Sequence, residues 1–184
     1  AGTVSVQGGS LLGIGVDGSL SYGNEAVNGV LTLRNAGPTP MSLSLGGLAF
    51  TPVQGSVHLD YNWGGSTPGG SLSFDNVDFK VDLGGTSVGF SGDLKLALAP
   101  NAVPSFSSAN LKLTSDVNLS LGGFDLNLLA SDAAAPTRLS LTNSNGTVIP
   151  GVSGKVAFAD LNGLTLTLPD GGLTYAPSTG WQFN

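Results

Sequence analysis

His58 is the only histidine in the 184 residues, and it stands in Val57-His58-Leu59-Asp60-Tyr61-Asn62-Trp63. On an extended backbone that spacing puts His58, Asp60 and Asn62 on one side. An imidazole, a carboxylate and an amide so placed are ingredients of a metal site or an acid–base trio. They are equally the wet face of a strand, and no second histidine exists to complete a site. Asp75, Asp78 and Asp82 form an acidic series whose spacing departs from the Asp-x-Asp-x-Asp-Gly calcium loop. Weak calcium binding and plain solvated carboxylates are its two readings.

Other chemistry is thinner still. The chain has one Glu, Glu25, so a glycosidase pair would have to be drawn from eleven scattered Asp, and nothing selects two of them. Zero Cys excludes thiolate nucleophiles, disulfides and Cys-based metal sites. Gly64-Gly65-Ser66-Thr67-Pro68-Gly69-Gly70 lacks the Gly-Lys-Ser/Thr of a phosphate loop and reads as a connection between strands. Asn118-Leu119-Ser120 and Asn145-Gly146-Thr147 match the N-glycosylation pattern, and Asn145-Gly146 reads also as a hairpin turn. The sequence thus assigns no catalytic, cofactor-binding or metal-ligating residue and no cofactor, and the expectation is a non-enzymatic protein.

Charge narrows the partners. Six basic residues, Arg34, Lys80, Lys95, Lys112, Arg138 and Lys155, are dispersed against twelve acids, for a net charge of −6. Nucleic acid and anionic membrane surfaces need concentrated positive charge, so neither is expected. The longest apolar run, Leu11-Leu12-Gly13-Ile14-Gly15-Val16, is far short of the roughly 20 residues of a spanning helix. Charged residues make up 10% of the chain, and surface polarity falls to Ser, Thr, Asn and Gly, as in secreted and envelope β-proteins. The opening Ala1 in place of Met fits a chain left after signal-peptide removal, and equally a trimmed one. An extracellular or envelope location is the expectation.

Period two organises the apolar residues. Val57, Leu59, Tyr61 and Trp63 share one parity, as do Val88, Phe90, Leu94, Leu96 and Leu98, and Leu111, Leu113, Val117, Leu119 and Leu121. Half-buried strands follow, with no significant helix. Between Phe74 and Val77 the parity flips, which predicts a bulge at Asp75-Asn76. A longer period overlies this one. Gln7-Gly8-Gly9, Leu45-Gly46-Gly47, Leu83-Gly84-Gly85 and Leu121-Gly122-Gly123 recur at steps of 38 residues, and Leu161-Asn162-Gly163 comes two residues late. A second signature, Gly followed by alternating apolar residues, begins at Gly18, Gly55, Gly92 and Gly171. A glycine at the parity of the apolar face predicts a mid-strand bend or close backbone approach. The expected fold is therefore all-β, a repetitive antiparallel or solenoid-like sheet in one domain, with units of about 38 residues at 1–38, 39–76, 77–114, 115–154 and 155–184.

Energetics explain why repetition is needed. A strand over residues 111–121 offers five large apolar side chains, on the order of 10 kcal/mol gross if fully buried. Fixing each of its backbones costs roughly 1–2 kcal/mol. Neighbouring strands must therefore share one apolar face and one hydrogen-bond ladder. The aromatic residues Trp63, Trp181, Phe183 and the tyrosines are expected to pack in the core or at strand ends.

Three functions are compatible with this pattern. Long Leu-rich strands with few Lys leave sheet edges unguarded, which suits a structural subunit of the cell exterior that self-assembles edge to edge into a fibre, layer or sheath. In that reading Thr3-Val4-Ser5-Val6 or Trp181-Gln182-Phe183 adds to a neighbouring copy. Second, Leu72-Ser73-Phe74-Asp75-Asn76-Val77 through Leu83-Gly84-Gly85 to Phe90-Ser91-Gly92-Asp93-Leu94-Lys95-Leu96 resembles the repeats of AsmA/TamB-like envelope proteins. That resemblance implies a curled sheet whose apolar inner face shelters lipid acyl chains, although this chain is shorter and poorer in charge. Third, an outer-membrane β-barrel would turn the Leu face to lipid, with sparse aromatics and several prolines against it. A glycan- or surface-binding adhesin module is the remaining binding alternative.

Overall fold

The computed structural model describes residues 1–35, 40–83, 85–121, 124–130, 136–144, 146–162 and 164–184. These residues are almost entirely strand: β1 (Gly2–Leu11), β2 (Ile14–Gly23), β3 (Ala26–Arg34), β4 (Leu43–Leu45), β5 (Leu48–Asn62), β6 (Gly69–Leu83), β7 (Thr86–Leu98), β8 (Ser105–Leu113), β9 (Val117–Leu121), β10 (Phe124–Leu128), β11 (Arg138–Ser144), β12 (Thr147–Phe158), β13 (Leu164–Ala176) and β14 (Gly180–Phe183). One 3-10 turn, Ala159–Leu161, is the helical exception among the described residues. The sheet is antiparallel and open, with strand order β1-β2-β3-β5-β6-β7-β8-β11-β12-β10-β9, β4 on β5, β13 on β12 and β14 on β13. The all-β, antiparallel expectation holds. The five-unit division is not confirmed: residues 1–38 hold three whole strands, whereas 39–76 hold β4, β5 and half of β6.

Residues gather into two compact units. The first comprises Ala1–Ser42, Thr51–Phe79 and Gly92–Ala109. The second comprises Leu43–Phe50, Lys80–Ser91 and Asn110–Asn184. The core of the first contains Ile14, Val16, Leu31, Val57, Leu72, Phe74, Val77, Phe79, Leu94 and Leu96. Phe74 and Phe79 meet edge to face, with ring centroids 5.9 Å apart, a geometry favoured by the ring quadrupoles. Their burial on either side of Asp75-Asn76 is the parity flip seen in the sequence. Asn76 takes the left-handed conformation (φ +50°), and its amide donates to Asp93 Oδ1 at 2.8 Å, so the predicted bulge is there and a carboxylate satisfies it.

Signature glycines take positive φ, and at Gly55 the neighbouring backbone comes close. Gly18, Gly55 and Gly92, at mid-strand in β2, β5 and β7, have φ of +154°, +138° and +150°, backbone that side chains disfavour. A Cβ on Gly55 would lie 2.9 Å from Val77 Cα, so the neighbouring backbone occupies the space of the missing side chain. Asn35, buried at 7% exposure, does the opposite work. Its amide donates to Met41 O (2.9 Å) and Pro52 O (2.6 Å), and its carbonyl accepts from Met41 N (2.9 Å), so one side chain satisfies backbone left out of the ladder. Pro52, lacking an N–H, is tolerated because β5 pairs with β3 only from Ser56 onward.

The second unit has its own knot. Thr137 is fully buried; its hydroxyl lies 2.7 Å from Leu129 O and 3.0 Å from Lys155 O, and its carbonyl accepts from Leu113 N at 2.9 Å. Gly154 (φ +108°) faces it, a Cβ there falling 2.6 Å from Thr137 Cα, at the register shift between β12 and β13. The stretch 111–121, expected as one strand, is broken between β8 and β9. Thr114 bonds through both N and Oγ1 to Gly89 O (3.0 Å each), and Asp116 Oδ1 accepts from Ala130 N at 2.6 Å. Side chains there take over the backbone's partners, which alternation of Leu does not reveal.

Two stability outcomes follow. Gly154→Ala combines a strained φ with a clash against backbone and is expected to cost about 1–3 kcal/mol or more in urea unfolding. Asn35→Ala removes three hydrogen bonds and leaves buried groups unpaired, an expected loss of about 2 kcal/mol, while Gln54→Ala at an exposed position stays within about 0.5 kcal/mol.

Candidate assembly edges

β1 lies at one end of the strand order and, among the described residues, pairs only with β2. Residues 2–6 run in regular register against Tyr22, Ser21, Leu20, Ser19 and Gly18, and the pairing shifts between Val6 and Gly9. The shift is built from polar contacts: Gly8 (φ +64°) donates its amide to Asp17 Oδ1 at 2.6 Å, while Asp17 Oδ2 meets Arg34 Nε at 2.5 Å. A bulge of this kind twists and protects an edge locally. Before it, Gly2-Thr3-Val4-Ser5-Val6 has no charge and no proline, and its outer backbone faces no strand among the described residues. Lys, Pro and short length are the usual guards of such an edge.

Across the strands the same residues begin an apolar row. Val4, Leu20, Gly29 and Leu59 are in register, as are Gly2, Tyr22, Val27 and Tyr61, and Val6, Gly18, Leu31 and Val57. Exposure grades along it, from 49% at Val4 and 51% at Tyr22 to 2% at Leu31 and complete burial at Val57. The apolar face is therefore closed at the row of Leu31 and Val57 and opens toward the rows of Val4 and Tyr22, where Leu59 and Tyr61 on β5 are half-buried.

A second free edge belongs to β13. Residues 164–168 pair with β12, Leu164 opposite Phe158 and Leu168 opposite Gly154, but β14 covers only residues 173–176 of β13. Leu164 and Leu166 are 50% and 45% exposed. No charged residue occurs from 164 to 169.

The residues singled out for chemistry sit apart from these edges or close turns. His58, Asp60 and Asn62 share an exposed face of β5, opposite Val30, Asn28 and Ala26. Asn62 Oδ1 accepts from Gly64 N at 2.7 Å, opening the connection over residues 63–68, and Gly69 and Gly70, read from sequence as part of it, begin β6. Asp75 and Asp78 are exposed on β6, and Asp82 Oδ1 accepts from Gly85 N at 2.6 Å in the turn before β7. No three His, Asp or Glu side chains gather as a metal site among the described residues. Glu25 (φ +60°) lies in the β2–β3 turn. Asn118 is exposed on β9, and Asn145 lies outside the described residues. Trp181 packs on Tyr175 (centroids 5.2 Å) and Phe183 on Phe158 (5.9 Å), strand-end contacts as expected, while Trp63 is 49% exposed.

Both segments read as donor strands are already in the chain's own sheet, residues 3–6 on β2 and 181–183 on β13. What they present is an edge and not a loose arm. The β13 edge was missed in sequence because Leu-Thr-Leu-Thr-Leu looks like any half-buried strand; only pairing shows one side open. No protein-family model, curated protein or solved structure matches the chain.

Proposed function

We propose that the chain is a structural subunit of the cell exterior or envelope that associates with copies of itself through strand edges. The observation that carries the reading is the β1 edge, an uncharged, proline-free run at residues 2–6 with one neighbour, flanked by a half-open apolar row. An added strand there would satisfy backbone groups and cover Val4 and Tyr22 together. The open ladder separates this reading from a closed barrel, which has no edges. Low charge and a surface polar through Ser, Thr, Asn and Gly support the location.

A second reading, lipid sheltering, draws on the exposed end of the same apolar row, whose Val4, Leu20, Tyr22 and Leu59 could lie against acyl chains. Mass spectrometry of an organic extract of purified protein separates the two, since bound acyl lipid at stoichiometric amounts favours the groove.

Sedimentation velocity tests the primary reading. The weight-average mass is expected to rise with concentration, and Val4→Lys, which places a solvated charge on the edge, is expected to weaken association at least roughly tenfold. Monomers at every concentration reached would overturn it.

A further inference from the structure

The free stretch of β13 is self-complementary. Residues 164–168 read Leu-Thr-Leu-Thr-Leu, a palindrome, with both large exposed leucines on one face and both threonines on the other. Two copies laid antiparallel about a two-fold axis through Leu166 would oppose Leu164 to Leu168, Leu166 to Leu166 and Thr165 to Thr167. A one-residue slip would set every Leu against Thr, and a two-residue slip would shorten the palindrome's overlap. The apolar faces of the two sheets then continue into each other, and Leu166 is covered by its own counterpart.

We infer that this stretch is an isologous interface, joining two copies of the chain as one continuous antiparallel sheet across paired β13 strands. The inference rests on the edge-association reading and names the partner of one edge. Charge is compatible with it: residues 164–169 are uncharged. The interface has a defined limit. Asn184 donates its backbone amide to Gly172 O (3.0 Å) and its side-chain amide to Gly171 O (2.9 Å), so the outer side of β13 is occupied from residue 171 onward, and before Pro169 no strand among the described residues pairs with it. Pairing energy comes from the outward-facing backbone groups of alternate residues in this stretch on each copy, Leu–Leu and Thr–Thr cross-strand contacts, and the covering of Leu164 and Leu166.

The chain has no cysteine, so single Cys substitutions report register without background. Directly opposed antiparallel residues have Cα atoms about 4.5–5.5 Å apart, within disulfide reach, and diagonal ones are about 7–8 Å apart, outside it. Under mild oxidation Leu166→Cys is expected to form a covalent homodimer. Thr165→Cys and Thr167→Cys are each expected to stay monomeric on a non-reducing gel and to cross-link when mixed. Leu166→Lys, checked by circular dichroism, is expected to weaken this dimer at least roughly tenfold. Cross-linking of Thr165→Cys alone as readily as Leu166→Cys overturns the inference. If Leu166→Cys fails to cross-link while the wild-type chain still assembles, the palindromic pairing is wrong and edge association stands. A wild-type chain that is monomeric throughout sinks both.

Discussion

Almost every described residue is extended, and an extended residue cannot satisfy its own backbone: its N–H and C=O need a neighbouring strand. That demand governs the rest. Where the ladder is regular, strands meet it for each other. Where strands change neighbours or end, side chains stand in, and these are the positions with the most specific chemistry in the molecule. Asn35 serves Met41 and Pro52, Thr137 serves Leu129 and Lys155, Asp93 serves Asn76, and Asp17 serves Gly8. The carboxylates that a search for catalysis or metal binding would gather are thus partly spent on turns and bulges, Asp82 on Gly85 being the clearest case.

Packing imposes the complementary requirement. An apolar side chain at every second position buries one face only if the strand can turn, and a straight strand of the length of β5 or β6, fifteen residues each, outruns the neighbours available to it. The positive-φ residues Gly55 and Asn76 interrupt regular strand geometry near the middle of these two strands. At Asn76 the cost is offset locally by the Asp93 carboxylate; at Gly55 it is avoided by having no side chain.

Much of this was legible beforehand. Alternation marked the β-class, the broken parity between Phe74 and Val77 marked the left-handed Asn76, and Gly18, Gly55 and Gly92 marked positive-φ backbone because each stood where an apolar side chain was due. Other features left no trace in the pattern. The Gly-Gly markers recur evenly, yet Gly8-Gly9 forms a bulge inside β1 while Gly46-Gly47 closes the turn between β4 and β5, so one spacing serves two geometries. Residues 111–121 keep one parity across a break, because what breaks them is hydrogen bonding from Thr114 and Asp116, to which hydropathy is blind. Free edges are likewise a property of who pairs with whom: residues 2–6 and 164–168 differ little in composition from strands paired on both sides.

Those two edges belong to different compact units of the chain, β1 to one and the exposed half of β13 to the other. In the language of polymer chemistry, a molecule with two reactive ends is a bifunctional monomer. If each edge accepts its own kind, growth is of the step type, and average length is set by concentration and by the purity of the stock. A chain with one edge disabled then acts as an end-capper, and a small fraction of it limits the length of everything made by the intact molecules around it.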